Sequence, residues 1–176
     1  MAVRPTADRV KEALFSMLAS RFELAGRAVL DLFAGSGGLG IEALSRGAAT
    51  VLFVERDPAA RRVLAGNLER CGFGERGRVL ATPVDAALRD LARRGARFDG
   101  VVLDPPYGHD LAAASVASVA ALGLTLPGAW VVAEHHIDDG FAAAFGPLQL
   151  TVAKRYGKTA LALFEDTRPT ELAAGP

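Results

Sequence analysis

The chain has 176 residues, 51% of them hydrophobic, with 20 basic against 20 acidic side chains. That length suits one domain with a single sizeable core, and the composition is too apolar for a disordered chain. The single cysteine, Cys71, excludes a disulfide framework and a four-cysteine zinc site, and the neutral balance lacks the basic excess usual in a nucleic-acid binder.

Arg4, Asp8, Arg9, Lys11 and Glu12 interrupt the N-terminal stretch, so no signal peptide is expected. Thr6 reads as a helix cap with Asp8 in the first turn, and Val10, Leu14, Met17 and Leu18 follow at helical spacing. Ala28 to Phe33 is a buried strand. Ala34 to Gly40 is a glycine-rich turn opening a helix that ends near Gly47. Thr50 to Glu55 is a second strand, and Asp57-Pro58 starts a helix that stops by Gly72. A short strand at Arg78 to Ala81, a helix at Ala86 to Arg94 and a strand at Phe98 to Leu103 come next.

The stretch from Leu111 to Ala133 is uncharged and approaches membrane-spanning length, but Gly123, Pro127 and Gly128 divide it. It therefore reads as a helix over Leu111–Leu122 and a strand over Ala129–Glu134, and the expectation is a cytoplasmic protein. Leu148–Lys154 and Lys158–Glu165 are two strands joined by a link too short for a crossover helix, hence a hairpin. The whole is an α/β fold, a mainly parallel sheet covered on both faces with an antiparallel hairpin at its end. It forms one domain over 1–166, with a disordered tail over 167–176. Arg89, Arg93, Arg94 and Arg97 form one basic cluster and Lys154, Arg155 and Lys158 another; each is either solvated surface or a contact for nucleic acid.

Gly35-Ser36-Gly37-Gly38-Leu39-Gly40 matches G-x-G-x-x-G between a strand and a helix, and Glu55 lies 20 residues after Gly35 at the end of the next strand. Alone, this pattern fits an NAD enzyme as well as a methyltransferase: the glycines admit a ligand close to the backbone, and the carboxylate accepts from ribose hydroxyls. Asp31 shifts the balance. A carboxylate there is unfavourable beside a pyrophosphate but suits the cationic amino-acid end of S-adenosylmethionine; its other reading is a turn cap. Asp85 can accept from an adenine amino group or cap the next helix. The expected cofactor set is Asp31, Phe33, Ala34, Gly35, Ser36, Gly37, Gly40, Glu55, Arg56, Asp85 and Ala86.

Asp104-Pro105-Pro106-Tyr107 follows the fourth strand, at the end of the sheet where ligands of open α/β folds bind. The two prolines stiffen the turn. The Asp104 carboxylate and the Pro105 carbonyl offer two acceptors to a planar NH2, and Tyr107 a face for stacking. A delocalised amine is a poor nucleophile, and acceptors that strengthen as its nitrogen becomes positive stabilise the transition state selectively. A base in a duplex must leave its stack to reach such a site.

Arg4 to Phe15, Leu30-Asp31-Leu32-Phe33-Ala34-Gly35-Ser36-Gly37, Leu39 to Ala48, Asp104-Pro105-Pro106-Tyr107 and Tyr156 to Leu161 together resemble the RsmD family of bacterial 16S rRNA guanine-N2 methyltransferases. The resemblance runs from Arg4 to about Glu165. It implies a seven-stranded Rossmann-like methyltransferase fold, S-adenosylmethionine as donor, 16S rRNA or the assembling small ribosomal subunit as partner, and Asp104 and Tyr107 at the acceptor site. It also places Thr6 or Arg9 near the cofactor. Family members usually carry a basic, glycine-containing segment before Arg-Pro-Thr, where this chain has Met1, Ala2 and Val3. A monomer without a metal is expected. The rival readings are a DNA adenine-N6 or cytosine-N4 methyltransferase, a glutamine amide methyltransferase, an NAD-dependent oxidoreductase and an inactive RNA-binding module.

Overall fold

A computed structural model describes residues 5–106 and 110–170, with the side chains of residues 5–7 outside the description. The elements in chain order are α1 (Pro5–Ala19), β1 (Ala28–Leu32), α2 (Gly38–Ser45), β2 (Thr50–Val54), α3 (Pro58–Arg70), β3 (Gly77–Leu80), α4 (Val84–Arg93), β4 (Phe98–Leu103) and α5 (Leu111–Ala121). Then come β5 (Thr125–His136), β6 (Ala144–Phe145), β7 (Leu148–Tyr156) and β8 (Thr159–Asp166). The strands form one sheet in the order β3-β2-β1-β4-β5-β8-β7-β6. The first five are parallel, and β8, β7 and β6 are antiparallel.

The parallel strands are nearly continuous apolar runs because both faces are covered. On one face Leu14, Phe15 and Leu64 of the helices pack with Phe53, Val102 and Trp130. On the other, Leu88 and Val116 pack with Leu30, Val101 and Val131. Gly100 pairs with Trp130 across β4 and β5, and a Cβ there would lie 2.2 Å from the indole ring. Glycine is what lets that ring lie against β4.

The expected elements are present, with four departures. The helix at the start includes Pro5, so Thr6 lies inside it and not at its cap; proline fits a first turn because its missing N–H would have no partner there anyway. β5 begins at Thr125, not Ala129. Thr125 pairs with Phe98, and the register then shifts before Gly100 and Trp130, so Pro127 and Gly128 sit in the irregularity where no ladder donor is needed. The two-residue β6 makes an eighth strand at the edge. Finally, the chain stays attached beyond Asp166. The Thr167 N–H donates to the Pro147 carbonyl, and Arg168 donates to the Asp166 carboxylate at 2.6 Å and to the Thr125 carbonyl at 2.6 Å. The rest of the expected 167–176 tail, residues 171–176, lies outside the described residues, and among the described residues no helix is long and apolar enough to cross a membrane.

Candidate active site

The site is built at the carboxyl end of the parallel strands. β1 ends at Leu32, and Phe33 takes φ 60°, a left-handed conformation that costs a non-glycine residue energy and is held only where the surroundings impose it. The chain then turns through the glycine loop. Gly37 caps α2 with φ 87°, and a Cβ on it would lie 2.2 Å from Leu64. Gly40 is closed in likewise, its Cβ position 2.2 Å from Phe53 and 2.8 Å from the Asp31 carboxylate. Of the three motif glycines only Gly35, with φ 55°, faces open space. Two of them therefore serve helix–strand packing, and one leaves room for a ligand beside the backbone.

Two carboxylates organise this loop. Asp31 is 1% exposed, and its Oδ2 accepts the Gly40 N–H at 2.9 Å, pinning the start of α2 to β1. Glu55 Oε2 accepts the Gly35 N–H and Oε1 the Asp57 N–H, each at 2.8 Å, tying the loop to the β2–α3 turn. Asn67 Nδ2 donates to the Ser36 carbonyl at 2.9 Å from α3. A carboxylate has about four lone-pair positions, so Glu55 keeps acceptors for a ligand after holding the loop.

Beside the loop lies a cavity of about 520 Å³, within the usual range for a small-molecule site. Phe33, Glu55, Arg56, Asp85, Asp104 and Pro106 line it, so six of the expected site residues converge there. Ala114, Ser115 and Ser118 of α5 form a wall that the sequence reading did not contain. Asp31, Ala34, Gly35, Ser36, Gly37, Gly40 and Pro105 do not line the cavity. Asp85 is in the first turn of α4, whose cap is Pro83, so it is not the N-cap; it pairs with Arg89 at 2.9 Å, which holds its carboxyl below the usual range. Ala86 lies along a groove with Arg89 and Leu122 instead. Arg9 lines a different cavity, against Tyr156 and Gly157. Tyr107 and the Thr6 side chain fall outside the described residues.

The electrostatics of the end of the sheet are unusual. Leu32, Leu103 and Ala133 are in register across β1, β4 and β5, which places Asp104 and Glu134 side by side just beyond. Asp104 opens to solvent at the cavity mouth but is crowded by protein, which raises its pKa to about 6. Glu134, half-buried, is raised to about 7 by burial and then by the Asp104 charge. Asp31 is raised to about 8 by burial, against the Gly40 N–H that lowers it, with Asp104 and Glu55 adding to the rise. Asp104 ionises first, and its charge then keeps protons on its neighbours. A site of this kind favours a cationic ligand. Among the described residues no group of three or more His, Cys, Asp or Glu is placed to hold a metal ion.

These shifts set a pH dependence. Above pH 6 the unfolded chain has its carboxyls ionised, whereas the folded protein still binds protons on Asp31 and Glu134. The folded state thus holds more protons, and stability rises as the pH falls. Between pH 8 and 7 the unliganded protein is expected to gain on the order of 1 kcal/mol, read as a higher urea midpoint. His135 is lowered by burial and titrates below this window. A midpoint that is flat or falls from pH 8 to 7 would contradict the raised values.

The model of the family described as conserved hypothetical protein 95 matches residues 1–165. The chain belongs to that family. Among relatives of this family member, Escherichia coli ribosomal RNA small subunit methyltransferase D is 33% identical over 163 residues, 93% of this chain and 79% of that protein. A Bacillus subtilis protein named "Putative rRNA methyltransferase YlbH" is 37% identical over 164 residues, 93% of this chain and 88% of that one. A Streptococcus pyogenes conserved hypothetical protein of known structure superposes with a TM-score of 0.81 at 32% identity, covering 89% of this chain and 94% of that one. A more distant structure, complexed with SAH, is 13% identical and shares the fold, with a TM-score of 0.71 over 93% of this chain and 50% of that one. The resemblance to RsmD read from the sequence stands, and the fold is that of the S-adenosylmethionine-dependent methyltransferases.

Proposed function

We propose that the protein transfers a methyl group from S-adenosylmethionine to the exocyclic N2 amino group of a guanine in 16S rRNA. The observation that carries this reading is the position of Asp104, on a cavity that it shares with Glu55, the carboxylate that also holds the glycine loop through the Gly35 N–H. The rRNA methyltransferases among its relatives supply the substrate class, and the distant fold relative complexed with SAH supports the donor. The cofactor set fits the residues present: Gly35 leaves open space, Glu55 keeps free acceptors, and the raised carboxyls suit a positive charge.

S-adenosylmethionine, when bound, supplies an electrophilic methyl group on a cationic sulfur. Asp104 and the Pro105 carbonyl hold the two N–H bonds of the acceptor amine, aiming its nitrogen at the methyl carbon. Transfer would form the N–C bond as the sulfur–methyl bond breaks with its electron pair left on sulfur; positive charge then grows on the nitrogen, where the Asp104 carboxylate stabilises it. The surplus proton passes to Asp104, whose raised pKa of about 6 suits a base at neutral pH, or onward to water.

The charge distribution supports an RNA substrate despite the neutral total. The β7–β8 turn lies at the same end of the sheet as the site, because His136 of β5 pairs with Thr159 of β8. Lys154, Arg155 and Lys158 there are exposed and unpaired by any salt bridge among the described residues. Arg93, Arg94 and Arg97 sit at the opposite end, where α4 finishes and β4 begins, and Asp90 pairs with the first two. We assign the phosphate contacts to the hairpin and surface solvation to the α4 cluster.

The test is methyl transfer from labelled S-adenosylmethionine to unmodified small ribosomal subunits, protein-free 16S rRNA and duplex DNA. Label is expected in rRNA as N2-methylguanine. Changing Lys154, Arg155 and Lys158 together to Glu is expected to raise KM for RNA by tenfold or more at about 0.1 M salt, with cofactor affinity unchanged. Label in DNA alone would overturn the rRNA assignment.

A further inference from the structure

We propose that Glu134 reads the guanine edge of the acceptor base, accepting its N1–H beside the N2 amine held by Asp104. The inference rests on the reading of the protein as a base methyltransferase and extends it to the residue that chooses the base.

The sheet order divides the site. The glycine loop and Glu55 follow β1 and β2, on one side of Asp104. Glu134 is on β5, on the other side, away from the cofactor cradle. The base that presents its amine to Asp104 therefore extends toward β5. Register fixes the placement further. Ala133 pairs with Leu103, so Glu134 follows it level with Asp104, and Glu134 pairs with Leu161, which pairs with Lys154. Strands are about 4.8 Å apart, so a carboxylate and then, about 10 Å away, a cation for phosphate lie in one row leading out of the site. Side chains alternate between faces along a strand. Glu134 follows Val132 by two and so shares its face, the one that carries Val102, Leu161 and Asp31. Glu134 is half-buried, and its carboxylate takes part in no hydrogen bond or ion pair among the described residues. It is a carboxylate without a partner, next to the acceptor group.

The chemistry then selects the base. Guanine alone presents N1–H and N2–H donors side by side on its Watson–Crick edge. Adenine has a lone pair at N1 and cytosine one at N3, next to their amines. An ionised carboxylate accepts from the first and repels the lone pairs of the others, and a site built to pair a donor rejects an analogue lacking it. With its pKa raised to about 7 by burial and by the Asp104 charge, Glu134 is part ionised at neutral pH, and the ionised form is the one that accepts the N1–H.

The test replaces the guanine mapped in the assay above with 2-aminopurine, which keeps the 2-amino group but has a bare acceptor at N1. Wild type is expected to methylate guanine RNA with a kcat/KM ten- to a hundredfold above 2-aminopurine RNA, the range for a hydrogen bond to a charged group. With Glu134→Gln, whose amide can accept or donate, the ratio is expected to fall below threefold while the cofactor Kd stays within twofold. A ratio unchanged in Glu134→Gln, even with both rates reduced, overturns the role of Glu134 and leaves the methyltransferase reading intact. Failure of the wild type to methylate guanine RNA at all overturns both.

Discussion

Asp104→Ala is expected to lower the single-turnover rate of methyl transfer by roughly 10²–10³-fold, the usual cost of losing one preorganised group aimed at developing charge. In the proposed mechanism the loss falls on the chemical step, because Asp104 holds the amine there and takes no part in the Gly35–Glu55 bond that shapes the cradle. Cofactor Kd from calorimetry therefore stays within a few-fold. The variant also folds: Asp104 sits beyond the last residue of β4, and its carboxylate is made less comfortable by crowding, not more. Asp104→Asn keeps one acceptor oxygen and no charge, so it falls between wild type and Ala. An Ala variant with wild-type single-turnover rates would remove Asp104 from the chemistry and with it the proposed mechanism.

The second large effect is on the fold. Gly40→Ala puts a methyl group 2.2 Å from Phe53, which is fully buried, and 2.8 Å from the Asp31 carboxylate. Neither neighbour can retreat, so the start of α2 lifts. The overpacking costs about 1–3 kcal/mol. Breaking the Gly40 N–H bond to a buried carboxylate adds about 1–3 kcal/mol, against a total stability of about 5–15 kcal/mol for a typical domain. Gly38→Ala, two residues earlier, is the matched control. It has open space around its Cβ position and sits at the first residue of α2, so it is expected to be neutral or stabilising by up to about 1 kcal/mol. Urea unfolding of the pair reads the difference. Equal midpoints would mean that packing at Gly40 is not what requires glycine there.

Much of the architecture is legible because its signals are local. Apolar runs alternate with helical spacing, Asp57-Pro58 marks a helix start, and the short link Arg155-Tyr156-Gly157 between two strand-like runs admits only a hairpin, which the structure tightens to Gly157-Lys158. The residues of the candidate cavity were legible where a residue type is tied to a strand end, as at Phe33, Glu55 and Asp104. What escaped depends on packing across the sheet. Glu134 ends an apolar run, a place where a surface carboxylate is ordinary, and only register sets it beside Asp104. The wall from α5 reads as a plain small-residue helix, yet Ala114, Ser115 and Ser118 are what leave the cavity its volume. The motif glycines matched their pattern, but the reason for Gly37 and Gly40 is Leu64 and Phe53, which are distant in sequence. The two basic clusters looked equivalent because the sequence does not say which end of the sheet each one faces.

The outer edge of β7 carries a further consequence. β6 covers it only at Leu148 and Gln149, so from Thr151 to Tyr156 its backbone has no neighbouring strand on that side among the described residues. Such an edge invites edge-to-edge association with another molecule, and charged side chains and bulges are the usual protection. Here the register shift between Leu150 and Val152 and the charges of Lys154 and Arg155 stand on that stretch. Two of the cations assigned to RNA, Lys154 and Arg155, therefore also stand guard on that edge. Removing them with neutral residues would confound lost RNA affinity with self-association, whereas exchanging them for glutamate reverses the charge and leaves the edge guarded.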